Sequence, residues 1–236
     1  KLSNILMLVY LKNVIFFVFL PFIKNLIFLI PLISAAIPVW AKDNRPAFNS
    51  SRYKENYKFL QDRNKKIDLF DSIKYIPFNN TKTSFLTIGG ETRQHFELID
   101  NNNWGKGNQD SNGYYLQRYL AHADLHLGDH TRIFAQLMSG IQKGRSGGSR
   151  AIDEDWLDLN QAFVDHQLFE NKYQNFKIRL GRQEITFGSR RFLNYRERPN
   201  IRLSHDAVMG IYNTDNLNIS IFGARPVTID QGYFDN

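Results

Sequence analysis

The amino-acid sequence predicts an all-β fold, and more narrowly an antiparallel transmembrane β-barrel. Three observations predict this class. Apolar and charged residues alternate with a period of two beyond residue 82, the connections between the alternating segments are long and short in turn, and the chain opens with a secretory-signal pattern. No segment after residue 80 carries the apolar spacing of a long helix.

Residues 1–41 differ in composition from the rest of the chain. They hold three lysines and no acidic residue. Their second apolar run is too short to span a bilayer and is interrupted by Pro31 and Pro38. The segment ends in a Val, a Trp and Ala41, which places small residues at the two positions that a signal peptidase reads. The pattern predicts a signal peptide over 1–41, with Met7 as a candidate start, and leaves an N-terminal membrane anchor as the alternative.

The next segment, 42–82, is polar and rich in Lys and Asn, and only the stretch around Asp68–Ile76 has a short helical pattern. We predict a periplasmic N-terminal leader that lacks a core of its own. The whole chain carries a formal net charge of +7, and part of this excess belongs to the signal, so charge alone does not indicate a nucleic-acid partner. The absence of cysteine excludes a disulfide framework and thiolate chemistry.

Seven segments of the remaining chain alternate between an apolar face and a charged or polar face. In SFLTIGGETRQHFEL, for example, the even positions are mostly apolar and the odd positions from Glu91 onward are charged. In one segment the phase is ambiguous, because one set, Ala162, Val164 and Leu168, competes for the apolar face with another, Leu157, Leu159 and Phe163. The predicted strands are 84–98, 114–127, 132–142, 157–168, 176–187, 205–213 and 217–226.

The connections between these strands alternate in length. DNNNWGKGNQDSNG, KGRSGGSRAIDEDW and GSRRFLNYRERPNIRLS are long, whereas GDH, FENKYQN and NTDN are short. Transmembrane barrels have this rhythm, with short turns on one side of the membrane and long loops on the other. The apolar faces include Tyr, Gly, Ala and Thr, a thin covering suited to lipid, and the opposite faces mix Arg, Glu, His and Asp. We therefore predict that 83–236 forms about seven strands of an outer-membrane barrel of the porin type.

Several strings resemble a known family in the order in which they occur. These are LTIGGETR, GYYLQRYLAHADLHLG, RIFAQLMSGIQKGR, IDEDWLDLNQAFVD, IRLGRQEITFGSRR and RERPNIRLSHDAV. They resemble successive strands and loops of the alginate-export domain family of outer-membrane β-barrel proteins, and the leader string YKFLQDRNKKIDLFDSIKYIPF resembles the segment before the first strand there. The resemblance extends over roughly 50–236.

The resemblance implies a monomeric barrel in the bacterial outer membrane, in contact with lipid and lipopolysaccharide. It also implies an arginine-lined lumen that conducts an anionic, carboxylated polysaccharide such as alginate, or related anionic solutes. Family barrels have many more strands, and barrels of bacterial single chains have even strand numbers. We therefore expect the chain to be the N-terminal portion of a larger barrel, with a small eight-stranded barrel as the alternative.

Two other functions remain open at this stage. One is a generic porin for small anions or nutrients on the same scaffold. The other, of a different class, is a secreted β-sandwich that binds anionic polysaccharide, because sandwiches also have alternating strands. We expect no cofactor, no metal and no nucleic-acid partner, since an exported chain rarely meets nucleic acid.

The segment RLGRQEITFGSRRFLNYRERPNIR, residues 179–202, holds seven arginines and no lysine. Arginine presents a planar fork that binds carboxylate bidentately. Strand phase places Arg179 on the charged face, and a β-bulge at Gly181 would place Arg182 and Glu184 there as well. Without the bulge, Arg182 would face lipid at a cost of about 2–4 kcal/mol near the bilayer midplane.

The predicted substrate-binding residues lie in the strands and in the connection after the fifth strand. The strand arginines are expected to line the lumen, and the loop arginines its mouth, with interspersed acids that keep a polyanion from adhering. Mutual ion pairing inside the barrel, or an exposed loop that binds lipopolysaccharide, is the alternative. The residues are Arg93, Arg118, Arg179, Arg182, Glu184, Arg191, Arg196, Arg198, Arg202 and Asp206.

No residue pattern indicates an enzyme. The acids of AIDEDW are interpreted as a solvated loop and not as a catalytic carboxylate pair. Ser204, His205 and Asp206 are adjacent in sequence, which is not how a nucleophilic triad is recognised. We therefore predict that the protein has no catalytic residues.

Overall fold

The computed structural model of the chain describes residues 8–9, 47–79 and 82–235. Within these residues, nine strands form one antiparallel sheet in which neighbours in sequence are neighbours in space, except that the short β2 pairs with β3 beside β1. The strands are β1 Leu8–Val9, β2 Ile76–Pro77, β3 Phe85–Ile99, β4 Asp110–Leu127, β5 Thr131–Lys143, β6 Asp155–Glu170, β7 Gln174–Gln183, β8 His205–Thr214 and β9 Asn218–Pro226.

The sheet is not closed. Its order runs from β1 and β3 to β9, and β9 pairs only with β8 among the described residues. The all-β antiparallel class is confirmed, and the seven long strands β3 to β9 coincide with the seven predicted segments. The predicted strand 176–187 was too long at its end, because β7 stops at Gln183 and the chain turns inward there.

Helical structure is sparse. The one α-helix of the described residues, α1, is the single turn Asp71–Lys74, within the predicted range Asp68–Ile76. Short 3-10 turns are present at Arg52–Lys54, Lys58–Gln61, Arg63–Lys65 and Asn102–Gly105. None of the helices in the described part of the chain has the length and apolar character needed to cross a membrane. The predicted signal peptide 1–41 lies outside the described residues, apart from the two residues of β1.

The connections between the long strands alternate as the sequence predicts. Tight turns occupy 128–130, 171–173 and 215–217, and long loops occupy 100–109, 144–154 and 184–204. Because the strands are antiparallel, all three long loops lie at one end of the strands, and all three tight turns lie at the other end. The longest loop, 184–204, folds back over one face of the sheet.

A bulge in β6 explains the ambiguous phase of that strand. Gln136 of β5 pairs with Gln161, but the next residue, Leu137, pairs with Leu159, so Asn160 is an additional residue. Asn160 and Gln161 are both buried on the same side. Because a bulge shifts the alternation by one residue, Leu157 and Leu159 before it and Ala162, Val164 and Leu168 after it face the opposite side. Phe163, the remaining member of the competing sets, is buried on the same side as Gln161 and packs against Tyr53.

Candidate functional site

Strand alternation divides the sheet into two unlike faces. The charged face carries Glu91, Arg93, Arg118 and Arg179 at alternate strand positions, and these side chains are largely buried. The outer face is apolar and exposed, with Phe96, Leu98, Tyr115, Leu168, Leu180, Val208 and Ile221 on it. An exposed apolar band opposite a charged face is the pattern expected of a sheet that contacts lipid on one side.

The N-terminal leader covers one part of the charged face. The ring of Tyr53 lies edge-on to Phe134 and Phe163, with centroid distances of 6.1 and 5.5 Å. The Arg179 guanidinium lies 4.4 Å from the centroid of the Tyr53 ring. Burial raises the pKa of the Tyr53 phenol. Tyr53 is therefore an aromatic anchor that holds the leader on the sheet.

A cluster of bidentate ion pairs surrounds this anchor. Arg179 donates from Nε and Nη2 to the two carboxylate oxygens of Asp165 at 2.6 and 2.7 Å. Arg132 contacts Asp124 in the same manner, with both distances 2.6 Å. Lys177 lies 3.6 Å from Asp165. The leader cluster consists of Tyr53, Asp124, Arg132, Asp165, Lys177 and Arg179.

The loop 184–204 covers the other part of the charged face. Arg93 donates to the backbone carbonyls of Glu197 and Pro199 at 2.6 and 3.0 Å. Asn200, which is fully buried, donates to the carbonyls of Gln117 and Asp153, both at 2.9 Å. The loop is therefore fastened to strands that lie far from it in sequence.

Glycine at position 140 permits this close docking. A Cβ added to Gly140 would lie 2.1 Å from Cδ1 of Ile201 and 3.1 Å from Nδ2 of Asn200. Ile201 in turn packs with Leu120 and Met138 in a small buried cluster. The loop backbone thus approaches β5 more closely than a larger residue would allow.

Three arginines and three glutamates meet beneath the loop. Arg118 contacts Glu91 at 3.2 Å and also binds the carboxylate of Glu197. Arg202 lies 2.6 Å from Glu197, 3.4 Å from Glu184 and 3.8 Å from Glu91. The loop cluster consists of Glu91, Arg93, Arg118, Glu184, Glu197 and Arg202.

The loop cluster is charge-balanced but not fully hydrogen-bonded. Within the described residues, Nε of Arg93, Arg118 and Arg202 has no hydrogen-bond partner, and neither has Oε2 of Glu184. Burial raises the pKa of Glu184, against the opposing effect of Arg202. Burial alone would lower the pKa of Arg202, but the neighbouring carboxylates, Glu184 first, outweigh it and raise that pKa. The arginines therefore stay charged in a site with spare donors.

The leader and the loop also contact each other. The Ser50 backbone carbonyl accepts a hydrogen bond from Arg202 at 2.9 Å, and the Ser50 hydroxyl lies 2.7 Å from the hydroxyl of Tyr195. Arg52 binds Glu91 at 3.2 Å, so it joins the leader to the loop cluster. The two coverings form one continuous layer over the charged face.

The bulge hypothesis at Gly181 was wrong. Pairing is unbroken from Leu180 to Gln183 on the β8 side, and from Leu180 to Arg182 on the β6 side. Gly181 has φ of +122°, and a Cβ there would lie 2.2 Å from the carbonyl oxygen of Ala162. This glycine therefore serves a close approach between two strands and inserts no extra residue.

Without a bulge, Arg182 falls on the outer face, and the predicted inward placement of Arg182 and Asp206 was wrong. Arg182 lies two residues after Leu180 in the strand and therefore on the same face, and Leu180 is 49% exposed there. Its Nε donates to Asp206 at 2.9 Å, and its Nη1 donates to the carbonyl of Leu159 at 3.3 Å. The expected cost of a charge on this face is reduced because the pair lies at the strand end and neutralises itself.

The remaining predicted residues divide between buried and exposed positions. Glu184 and Arg202 belong to the loop cluster, whereas Arg191 and Arg196 are exposed on the loop. Arg198 is 77% exposed and lies 3.5 Å from Glu97. The structure thus brings together Arg93, Arg118, Glu184 and Arg202, places Arg179 in the leader cluster, and leaves the exposed arginines outside both.

Sequence reasoning missed several contributors. Asp165 and Asn200 were not selected, because only strand register and loop path reveal their partners. Asp153 and Asp155, interpreted as a solvated loop, are both buried, and Asp153 pairs with Arg145 and Arg150. The two competing apolar sets in β6 were the available signal for its bulge.

One comparison with known proteins gives a match. A family model described as alginate export matches residues 84–236, a range that contains all seven long strands and the loop 184–204. Tyr53 and the rest of the leader precede the matched range. No curated protein and no solved structure matches the chain.

Proposed function

We propose, from the premise that this chain belongs to the alginate-export family, that it forms part of a channel for anionic, carboxylated polysaccharide such as alginate. The family is an outer-membrane transport family and not an enzymatic one. We take the working unit to be a monomeric barrel surrounded by lipid and lipopolysaccharide.

The observation that carries the proposal is the gathering of Arg93, Arg118 and Arg202 on one face of the sheet. Guanidinium groups match the geometry of carboxylates and remain charged at any physiological pH. The acids Glu91 and Glu184 lie among them and reduce the net attraction for a polyanion. Conduction requires contacts that are favourable enough to admit the polymer and weak enough to release it.

The apolar outer face supports the membrane location. Leu98, Leu168 and Val208 are each at least half exposed there. Large exposed apolar surfaces are unusual on soluble monomers and usual on the lipid side of a barrel. A generic porin for small anions would have the same outer face, so the substrate must be tested directly.

The test combines localisation with conductance. The protein is expected in the outer-membrane fraction, with heat-modifiable migration on gels. In planar bilayers under a salt gradient, the reversal potential is expected to show preference for anions, and polymannuronate is expected to block the current more than uncharged dextran of equal length. Equal block by the two polymers would contradict the polysaccharide specificity, and a lack of anion preference would contradict the arginine-based mechanism.

A further inference from the structure

Glu197 occupies an unusual position in the loop 184–204. It lies on the short segment 196–199, between Tyr195 and Asn200, whose side chains are both almost fully buried. The segment itself is exposed or half-buried. Two buried anchors therefore hold a short stretch of chain at the surface of the layer that covers the charged face.

The backbone of this segment is fixed without help from the Glu197 carboxylate. Arg93 binds the carbonyls of Glu197 and Pro199, and Asn200 binds three backbone carbonyls of neighbouring elements. Leu203 donates to the carbonyl of Tyr195 at 2.9 Å, which closes the loop at its base. The Glu197 side chain can therefore rotate while the loop stays in place.

The carboxylate of Glu197 shields two arginines. It contacts Arg118 and lies 2.6 Å from Arg202, and both arginine side chains have no exposure. The Glu197 side chain itself is 30% exposed. A carboxylate that approaches these arginines from the open side must therefore displace Glu197.

We propose that Glu197 is a built-in competitor for the substrate, because its carboxylate occupies the position at which a uronate carboxylate binds Arg118 and Arg202. This inference rests on the proposed function and adds a mechanism for release. Substrate binding exchanges one carboxylate for another, so the arginines are never left buried and unpaired. The net gain from each exchange is small, which gives the weak and repeated binding that conduction requires.

The exchange predicts a gain of affinity when the competitor is removed. The probe is oligomannuronate, titrated calorimetrically into the refolded full chain. Glu197→Gln is expected to lower the dissociation constant by about ten-fold, because Arg118 and Arg202 lose a charged internal partner. Glu170→Gln, the same chemical change at an exposed position of β6, is the matched control and is expected to leave the affinity unchanged.

A second ligand without free carboxylates distinguishes carboxylate exchange from a general loosening of the loop 184–204. The methyl-esterified oligomer has no free carboxylate, so Glu197→Gln is expected to leave its affinity unchanged. Glu197→Asp retains the charge but shortens the side chain by one methylene, and an intermediate affinity for the free oligomer is expected. Heat-modifiable migration verifies folding, and Glu197→Asp decides the question if Glu197→Gln does not fold.

The outcomes distinguish this inference from the proposed function. If wild type binds oligomannuronate and Glu197→Gln binds it equally or more weakly, Glu197 only supports the loop and the inference is overturned. If neither wild type nor the variants bind the free oligomer, and the channel shows no anion preference, the proposed function fails. A gain for both the free and the esterified oligomer would also overturn the inference, because carboxylate exchange cannot produce it.

Discussion

The leader cluster and the loop cluster use the same residue types in different arrangements. In the leader cluster, Arg179 and Arg132 each bind one aspartate with two parallel hydrogen bonds. In the loop cluster, Arg118 and Arg202 each contact more than one glutamate through single atoms, and their Nε groups have no partner within the described residues. The first arrangement is closed, and the second retains unused donors.

The difference is the reason why we propose the loop cluster, and not the leader cluster, as the substrate site. A bidentate pair satisfies both partners and is costly to break, so it acts as a structural element. A network of single contacts can exchange one carboxylate for another at little cost. Arginine content alone therefore does not identify the binding residues, since Arg179 belongs to the closed arrangement and Arg118 to the open one.

The largest expected effect is in the closed pair of the leader cluster. Asp165→Ala leaves Arg179 buried without its carboxylate, so we expect a loss of about 3–5 kcal/mol in the free energy of unfolding. Urea unfolding in detergent micelles measures it. Asp129→Ala is the control, because Asp129 lies in the turn 128–130, is 65% exposed, and its pair with Lys58 is expected to contribute about 0–1 kcal/mol. Equal losses in the two variants would show that the leader cluster is not structural.

A smaller loss of stability is expected from Gly181→Ala, at the close contact between β6 and β7, the strands that carry Asp165 and Arg179. Gly181→Ala places a Cβ 2.2 Å from the Ala162 carbonyl oxygen at a φ of +122°. We expect a loss of about 2–3 kcal/mol from backbone strain and overpacking, measured in the same unfolding assay. Gly223→Ala is the control, because a Cβ there meets nothing within 4 Å. An unchanged stability for Gly181→Ala would contradict the close approach of the strands.

The smallest effect concerns the pH dependence of the loop cluster. Burial raises the pKa of Glu184 in the folded state, so its contribution to stability is present below its ordinary pKa and is lost as pH rises through the raised value. Glu184→Gln lacks this titration. We therefore expect the variant to gain stability relative to wild type as pH rises above the ordinary glutamate pKa of about 4. Parallel stability curves for the two proteins would contradict the assignment.

The sequence was sufficient for the strands because a period of two and alternating connection lengths are local signals. It also placed Arg93, Arg118 and Arg179 on the charged face, since each lies in a strand with clear phase. It failed at Arg182, where glycine indicated a bulge that the strand pairing does not have.

The contacts that the N-terminal leader and the loop 184–204 make with the sheet could not be predicted from the sequence. Tyr53 meets Phe163, and Glu197 meets Arg118, across long separations in the chain. No local pattern encodes which acid pairs with which arginine, because the pairing depends on register and on the path of the loop. Glu197 was not among the substrate-binding residues that the sequence predicted.

The most direct test of the account asks which cluster a substrate touches. An oligomannuronate that carries a photo-reactive diazirine is crosslinked to the full chain, and the labelled peptides are identified by mass spectrometry. We predict labels near Arg93 and within 196–202 that an excess of free oligomannuronate suppresses. Labels concentrated on the peptides of Asp165 and Arg179, or labels that free oligomer does not suppress, would contradict the assignment of substrate binding to the loop cluster.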